Sequence, residues 1–451
     1  MSSRAGREAA EEPSGSVFRA HPVTRVGGML EVPGDKSISH RALMLGAVAE
    51  GDTLIRGFLH GEDCVATRAA LEALGVPIAD GDGGTVRISG VGAHGLRGAA
   101  RALDLGNSGT AIRLMTGLLA GQPFDSELTG DASLRRRPME RVAAPLRRMG
   151  ARIATSDGRA PIRISGGARL RGAECTLDVA SAQIKSALLL AALQASGTTM
   201  IRSPGPSRDH TERMLRSMGA LLDVDDEGLV VSVEGPQTLR GIEIDVPGDL
   251  SSAAFFLVAG CLGARDGLLL RNVGMNPTRI GLLTILGAMG ARIEVRSPRT
   301  AGAEPVADLY VEQAELKGVD VPPELVPLAI DEFPILFVAA AGARGPTIVR
   351  GADELRHKES DRLAVMAKGL TALGARVDER PAGLIIEGGR LSGGEVHSHG
   401  DHRVAMSFAV ASLISDGPIL IRETAQVATS FPGFTRAAAA AGLRIDELRE
   451  G

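Results

Sequence analysis

One pattern of residues recurs six times along the 451-residue sequence. Each copy contains a polar cap, an apolar helix, a glycine, a short strand, an amphipathic helix that ends at a second glycine, and another strand. The copies are spaced by 69 to 81 residues, because the apolar first helices are predicted to begin near Lys36, Asn107, Ser181, Leu250, Asp331 and Asp401. This repeat predicts an α/β fold in which one supersecondary unit is used six times.

Glycine is predicted to end the second helix of every copy. A residue in the left-handed conformation commonly closes a helix, and glycine adopts it without steric cost. The glycines concerned are Gly75, Gly150, Gly219, Gly290, Gly374 and Gly442. Short strands ending in arginine are predicted after the first helices, at Thr53–Arg56, Thr198–Arg202, Leu268–Arg271, Thr347–Arg350 and Ile419–Arg422. We therefore interpret these glycines as helix ends and not as a phosphate-binding loop.

A second symmetry divides the six copies into two halves. The segment Val32–Asp35 (VPGD) is repeated at Val246–Asp249, where proline stops a strand, glycine permits a turn and aspartate caps the next helix. We predict two crossovers lying side by side, an N-terminal half at 35–247, and a C-terminal half formed by 17–34 and 248–451. The strand expected at 17–32 would pair in the C-terminal half, and residues 1–16 are expected to be a mobile tail.

The first helices lack a strong polar face, as in Ser186–Ala195 and Phe333–Gly342, and are therefore predicted to be buried within each half. If the three helices of a half run parallel, their N-termini, each equivalent to about half a positive charge, point together into the cleft between the halves. Such a cleft would attract multiply charged anions.

Composition excludes several other classes of protein. With 50 basic and 54 acidic residues, no Trp and one Tyr, the chain lacks the basic excess and the aromatic platforms of a nucleic-acid binder. No apolar stretch has the length of a membrane span, and the N-terminus has no apolar signal segment, so we expect a cytoplasmic protein. The three cysteines lie far apart, and the sequence shows neither the spacing of metal ligands nor a dinucleotide-binding fingerprint. We therefore expect neither a metal nor an organic cofactor.

The candidate functional residues are cations at predicted helix starts. Only five of the 50 basic residues are lysine, and Lys36 and Lys358 are two that fall at such starts. Lys358, Arg362 and Arg403 oppose the helix dipole unless an anion binds between them. Nearby acids, including Asp331, can equally be interpreted as N-caps. The GDKS sequence at Gly34–Ser37 lacks the upstream glycine spacing of a P-loop, which excludes a nucleoside-triphosphate site of that kind.

Seven motifs in order closely resemble the 5-enolpyruvylshikimate-3-phosphate synthase (3-phosphoshikimate 1-carboxyvinyltransferase) family. They are Gly34–Arg41 (GDKSISHR), Gly106–Thr110 (GNSGT), Ser181–Lys185 (SAQIK), Arg208–Glu212 (RDHTE), Asn276–Arg279 (NPTR), His357–Arg362 (HKESDR) and Asp401–Arg403 (DHR). The SAQIK, RDHTE and NPTR segments look like the class II branch. The resemblance, from about Val17 to the end, implies the enolpyruvyl transferase fold: two similar domains, each of three βαβαββ units with buried parallel helices.

The resemblance also implies an activity and two small-molecule substrates. The family transfers the enolpyruvyl group of phosphoenolpyruvate to the 5-hydroxyl of shikimate 3-phosphate and releases phosphate, on the shikimate pathway to chorismate and aromatic amino acids, and it is the target of glyphosate. By family position, shikimate 3-phosphate would contact Lys36, Ser37, Arg41, Ser181, Ala182, Gln183, Arg208, Asp331 and Lys358. Phosphoenolpyruvate would contact Lys36, Gly109, Arg137, Gln183, Arg362 and Arg403. Guanidinium forks suit both carboxylate and phosphate.

Two carboxyl groups with different pKa values would serve the proton transfers of this reaction. We assign Asp331 as the base for the 5-hydroxyl and Glu359 as the group that protonates the methylene carbon and later removes a proton. Lys36 would stabilise charge or share the proton transfer. Because Lys36 and Asp331 belong to opposite halves, catalysis would require domain closure.

Some positions depart from the better-known branch of the family. Thr429 stands where that branch has a lysine, and Gly109 lacks the methyl group that an alanine would place toward the inhibitor site. The likeness to class II indicates glyphosate tolerance, whereas Gly109 indicates sensitivity.

One alternative function is that of the sister enzyme that uses UDP-N-acetylglucosamine, but that enzyme has a Lys-Asn start and a loop cysteine. A second is a non-catalytic or RNA-processing relative. We expect a monomer without a nucleic-acid or membrane partner.

Overall fold

The computed structural model describes residues 15–449. Most of the tail expected at 1–16 therefore lies outside the described residues, whereas Ser16 already belongs to a strand and donates to or accepts from the Thr424 hydroxyl at 3.0 Å. None of the helices formed by the described residues has the length and apolar character that a membrane span requires.

The helices reproduce the predicted repeat. In each of the six copies a first helix is followed by a second helix, and the second copy has one short extra helix between the two. In chain order the helices of residues 15–449 are α1 (Lys36–Ala47), α2 (Glu62–Ala73), α3 (Gly109–Leu119), α4 (Ala132–Arg136), α5 (Glu140–Arg148), α6 (Ala182–Ala192), α7 (His210–Ser217), α8 (Leu250–Gly263), α9 (Gly281–Ala288), α10 (Phe333–Ala341), α11 (Arg362–Ala372), α12 (His402–Ala411) and α13 (Phe434–Ala440). Each predicted first-helix start lies within two residues of the observed one.

The six glycines predicted to end the second helices all have positive φ values, between 86° and 98°. A residue that has a Cβ atom adopts this conformation only at a cost in free energy, whereas glycine adopts it without that cost. This difference explains why glycine recurs at the position in every copy. Caps also match the prediction at the crossovers, where Asp35 accepts from the Ile38 amide and Asp249 from the Ser251 amide.

The strands found within residues 15–449 form six sheets. In chain order they are β1 (Ser16–His21), β2 (Gly28–Glu31), β3 (Ala49–Arg56), β4 (Ile78–Asp80), β5 (Val86–Val91), β6 (Leu103–Asp104), β7 (Ser126–Thr129), β8 (Arg152–Ser156), β9 (Arg159–Ser165), β10 (Glu174–Thr176), β11 (Gly197–Arg202), β12 (Asp223–Val224), β13 (Val230–Gly235), β14 (Leu239–Arg240), β15 (Glu243–Asp245), β16 (Leu268–Gly274), β17 (Arg292–Ala301), β18 (Glu304–Glu312), β19 (Pro346–Ile348), β20 (Arg376–Arg380), β21 (Gly383–Glu387), β22 (Gly394–His397), β23 (Ile419–Arg422) and β24 (Arg444–Arg449). The strand predicted at Thr347–Arg350 is thus shorter than expected.

Five of the six sheets share one order, in which a parallel pair is extended by two antiparallel strands. Examples are β6-β7-β9-β8 and β10-β11-β13-β12. The remaining sheet, β19-β21-β20, has isolated parallel bridges in place of its first strand, at Lys317 and Asp320. The repeated order confirms that one unit is used six times.

The N-terminal segment pairs in the second half of the chain, as predicted, but as two strands and not one. Strand β1 lies between β23 and β24, and β2 pairs with β16. The two VPGD crossovers lie side by side: the Asp35 amide donates to Pro247 O and the Asp249 amide to Pro33 O, both at 2.8 Å. A Cβ atom on Gly34 would lie 1.8 Å from the Gly57 carbonyl oxygen, so this close crossing requires glycine.

The described part of the chain forms two separate apolar cores, which correspond to two domains. One core contains buried residues from Ile38 to Val246, and the other contains Phe18 to Val32 together with Leu250 to Leu443. The first helices supply much of both cores; α8 is buried along nearly its whole length. The exact limits of the halves, 35–247 against 17–34 plus 248–451, stay a prediction that this membership supports.

Candidate active site

A large cavity lies where the N-terminal ends of the six first helices meet. It has a volume of about 490 Å³. Every first helix contributes at least one residue from its start or its cap: Lys36 and Ser37 (α1), Gly109 and Thr110 (α3), Ala182 and Gln183 (α6), Asp249 (α8), Asp331 (before α10), His402 and Arg403 (α12). The convergence predicted from the sequence is confirmed, and it directs the positive ends of six helix dipoles into one space.

Cationic side chains from both halves add to this positive field. Those lining the cavity are Lys36, Arg113, Arg137, Arg141, Arg208, Arg279, Lys358, Arg362 and Arg403. The lining acids are fewer, and the main ones are paired with these cations, as described below. The excess of cations in the lining attracts anions, although the whole chain has a formal charge of −4.

Asp331 lies at the centre of the cationic group. One carboxylate oxygen accepts from Arg208, and the other lies 3.3 Å from Lys358 Nζ and 3.4 Å from an Arg362 nitrogen. Burial alone would raise the pKa of Asp331, but the charges of Lys358 and Arg208, with those of Arg403 and Arg362, hold it well below its usual value. Asp331 is therefore an anion at neutral pH. Since Arg208 belongs to the N-terminal half, this carboxylate also joins the two halves.

Glu359 has a similar environment. Its two oxygens lie 2.8 Å from an Arg362 nitrogen and 3.4 Å from an Arg137 nitrogen, and Arg137 comes from the N-terminal half. Burial acts to raise the pKa of Glu359, but Arg362 and Arg137, with a smaller effect of Lys36, hold it well below its usual value. The structure thus brings Lys36 and Glu359 into one electrostatic cluster, although they are 323 positions apart in the sequence.

Lys36 is the first residue of α1, and its ammonium group lies 2.8 Å from Asp63. Asp63 is buried, and its second carboxylate oxygen has no hydrogen-bond partner among the described residues. Burial raises the pKa of Asp63, and the charge of Lys36 opposes that rise. His402, which lines the same cavity, has its pKa lowered well below the usual value, by burial first and then by Lys36 and Arg403, so its ring is neutral.

The predicted neutral ligands lie together on α3 and α6. The Ser181 hydroxyl caps α6, and the Gln183 side chain donates to the Thr110 hydroxyl at 3.0 Å and accepts from Arg113. A Cβ atom on Gly109 would lie 3.0 Å from nitrogens of both Arg113 and Arg137. Gly109 therefore leaves room for two guanidinium groups at the start of α3.

All but one of the predicted site residues line this cavity. The exception is Arg41, which is buried under α1 and donates to the hydroxyls of Thr211 and Ser186 and to the Ser37 carbonyl oxygen. Burial lowers the pKa of Arg41 to about 10. Thr429 also lies outside the lining, and its hydroxyl donates to the Gln426 carbonyl oxygen at 2.7 Å.

Several lining residues were not predicted from the sequence. Asp63 pairs with Lys36 across 27 positions, and Arg141 pairs with Glu354 at 2.9 Å across the two halves. Arg113 lies one turn after Gly109 and donates to its carbonyl oxygen. The helical spacing from Gly109 to Arg113 could have indicated Arg113. No local signal indicates Asp63.

Comparison with known proteins assigns the family. The model of the family "EPSP synthase (3-phosphoshikimate 1-carboxyvinyltransferase)" matches residues 20–437. A protein named 3-phosphoshikimate 1-carboxyvinyltransferase from Methylococcus capsulatus is 54% identical over 431 residues, 95% of this chain and 98% of the relative. Another so named, from Alkalilimnicola ehrlichii, is 56% identical over 95% of this chain and 96% of its own length. The chain belongs to the EPSP synthase family.

Solved structures agree with membership of the EPSP synthase family. The EPSP synthase of Acinetobacter baumannii has a TM-score of 0.86 and 49% identity, and the match covers 96% of this chain and all of that one. The enolpyruvyl transferase NikO from Streptomyces tendae has a TM-score of 0.77 over 97% of this chain, but at 19% identity it supports the fold alone. The resemblance drawn from the seven EPSP synthase motifs is thereby confirmed.

Proposed function

We propose that this cavity transfers the enolpyruvyl group of phosphoenolpyruvate to the 5-hydroxyl of shikimate 3-phosphate and releases phosphate, on the route to chorismate and aromatic amino acids. The observation that carries the proposal is the meeting of Asp331 and Glu359, from one half, with Lys36 and Arg137, from the other, in a single cationic cavity. Two polyanionic substrates need such a field, and two carboxylates provide for the two proton transfers.

The substrates would divide the cavity between them. Shikimate 3-phosphate would contact Lys36, Ser37, Ser181, Ala182, Gln183, Arg208, Asp331 and Lys358, and phosphoenolpyruvate would contact Lys36, Gly109, Arg137, Gln183, Arg362 and Arg403. Each set contains residues of both halves, so binding either substrate favours closure of the halves on it. Arg41 donates to the hydroxyls of Thr211 and Ser186 and would support the part of the cavity wall formed by α1. A direct contact between Arg41 and shikimate 3-phosphate stays a prediction.

The reaction is an addition followed by an elimination. The 5-oxygen bonds to the carbon of phosphoenolpyruvate that bears its phosphate, while the methylene carbon gains a proton. The new methyl group then loses a proton as the carbon–oxygen bond to phosphate breaks. Asp331 would accept the proton of the 5-hydroxyl, and Glu359 would deliver and later remove the proton on carbon. The cations are fixed in position, so they would stabilise the leaving phosphate without having to reorganise.

The low pKa of Glu359 sets a condition for this mechanism. A carboxylate held ionised by Arg362 and Arg137 has no proton to donate. When the anionic groups of phosphoenolpyruvate bind these arginines, they compete with Glu359 for the same positive charge, and its pKa rises. Substrate binding would thus convert Glu359 into an acid at the moment when a proton is needed.

The assignment is tested by phosphate release from phosphoenolpyruvate. We expect release with shikimate 3-phosphate and none with UDP-N-acetylglucosamine. Glu359→Gln and Asp331→Asn should fold and bind substrate but lower kcat by roughly 10²- to 10⁴-fold. Glu379→Gln, which removes a carboxylate on β20 outside the cavity, serves as the control. Near-normal kcat in both site variants would remove the proposed acid and base, and release with the sugar nucleotide would favour the sister activity. Cytoplasmic location and a monomeric state stay predictions.

A further inference from the structure

A buried network of charged side chains links the two crossovers at the wall of the cavity, which Arg279 and Asp249 help to line. Its centre is Arg279, which is 4% exposed. Arg279 donates to Asp35, lies 3.1 Å from an oxygen of Asp249 and donates to the Ser251 hydroxyl at 2.6 Å. Asp35 and Asp249 are the helix caps of the two VPGD segments and belong to opposite halves. One guanidinium group therefore holds the start of α1 against the start of α8.

The same network reaches the start of α10. The Ser251 hydroxyl donates to Glu332, and a nitrogen of Arg279 lies 3.8 Å from the same carboxylate. Glu332 has a side chain 1% exposed and is also 3.8 Å from Arg403. Burial disfavours the charge of Arg279, yet Asp35, Asp249 and Glu332 raise its pKa above the usual value. A charge buried among several acids and bound on most of its nitrogens is fixed in position.

The members of this network are sequence neighbours of the groups assigned to catalysis. Asp35 precedes Lys36, and Glu332 follows Asp331. Lys36 and Asp331 come from opposite halves, and each is attached through one peptide bond to an acid that Arg279 holds. A change of less than 1 Å in the distance between Lys36 and Asp331 would have a large effect on proton transfer and a small effect on ionic attraction.

We propose that Arg279 is a positioning residue that sets the distance between Lys36 and Asp331, acting through Asp35 on one side and through Ser251 and Glu332 on the other. It touches neither substrate in this role. The inference rests on the proposed function, because it concerns the geometry of that reaction. It also gives a role to the NPTR motif, whose Asn276 donates to Glu304 at 3.0 Å and to Asp209 and so joins the halves beside Arg279.

The test is a double-mutant cycle of Arg279→Lys and Glu332→Gln, measured by phosphate release well below the melting temperature of every variant. Lysine keeps the charge but loses the fork that binds two helix caps. We expect Arg279→Lys to lower kcat by about 30-fold while both KM values change less than threefold. Arg68→Lys, which removes a fork from Glu72 and Asp80 within the N-terminal half, should leave kcat unchanged.

The cycle also tests the path. If Arg279 acts through Glu332, the double variant should lose little more kcat than Arg279→Lys alone. The proposal would be overturned if the loss of kcat in the double variant equalled the product of the two single losses. It would also be overturned if folded Arg279→Lys kept a kcat within twofold of wild type. If Arg279→Lys does not fold, Glu332→Gln and Ser251→Ala decide: lowered kcat with KM unchanged supports it, and unaltered kcat overturns it. A wild-type protein that releases no phosphate would instead disprove the proposed function.

Discussion

At the scale of single residues, the ionised state of Glu359 makes a prediction about proton uptake. Its pKa is held well below the usual value by Arg362 and Arg137, so neutralising these cations with substrate must raise that pKa. Protein-bound protons therefore increase on binding of phosphoenolpyruvate, and the uptake grows as the pH is lowered toward the raised pKa. The uptake is measured by titration calorimetry in buffers with different ionisation enthalpies, with shikimate 3-phosphate bound.

Two variants isolate this uptake from protons bound by the substrate itself. Asp331→Asn slows turnover during the titration, and Asp331→Asn with Glu359→Gln removes the carboxylate in question. The first should take up more protons per site than the second. Equal uptake by the two variants would mean that Glu359 does not gain a proton when phosphoenolpyruvate binds, and the acid role would have to pass to another group.

The sequence predicts the charged residues of the site better than their partners. Lys358, Arg362 and Arg403 were identified because cations at helix N-termini are unfavourable without an anion. Asp63 has no such signal, since its pairing with Lys36 depends on how α2 packs beside α1. Arg41 lies in a motif but points beneath α1, because the hydroxyls of Thr211 and Ser186 satisfy it there. Side-chain direction depends on tertiary packing that a motif does not contain.

At the scale of elements, the close approach of α3 to α6 places Thr110 and Arg113 beside Gln183. A Cβ atom on Gly117 of α3 would lie 2.0 Å from the Ala187 carbonyl oxygen of α6. We therefore expect Gly117→Ala to force the two helices apart, to lower the free energy of unfolding by about 1–3 kcal/mol, and to raise KM for phosphoenolpyruvate. Thermal unfolding and steady-state kinetics measure the two effects.

A glycine in α9 provides the matched control. A Cβ atom on Gly287 would meet no atom of residues 15–449 within 4 Å beyond its chain neighbours and the backbone of α9, so Gly287→Ala should stabilise the helix by about 0.5–1 kcal/mol and leave the kinetics unchanged. If Gly117→Ala behaved in the same way, the helix contact would not determine the site geometry. The sequence alone does not separate these two glycines, because both lie in predicted helices and differ only in what packs against them.

At the scale of the whole molecule, the chain crosses between its halves twice, and this explains both a success and a limit of the sequence analysis. The repeated VPGD segments correctly predict adjacent crossovers and an N-terminal strand that pairs with the second half. The contacts across the cleft were not predicted, since they join surfaces that no repeat relates. They include Arg208 with Asp331, Arg137 with Glu359, and Arg141 with Glu354.

The pair of Arg141 and Glu354 allows closure to be tested apart from chemistry. The two side chains lie 2.9 Å apart at the cavity wall, are 24% and 37% exposed, and belong to opposite halves. Arg141→Glu or Glu354→Arg places like charges across the cleft, so we expect each to raise KM for both substrates by about 3- to 10-fold, consistent with the modest energy of a partly exposed pair. The defect should shrink in high salt, which screens the repulsion.

Reversing both charges restores the attraction, so the double variant should recover KM to within about threefold of wild type. Arg147→Glu, on the same helix but paired with Glu140 inside one half, should leave KM unchanged. Recovery in the double variant and not in either single one would assign the effect to contact between the halves. If the double variant were as impaired as the single ones, Arg141 would act on a substrate directly, and closure would depend on Arg208 and Arg137 alone among these cross-cleft pairs.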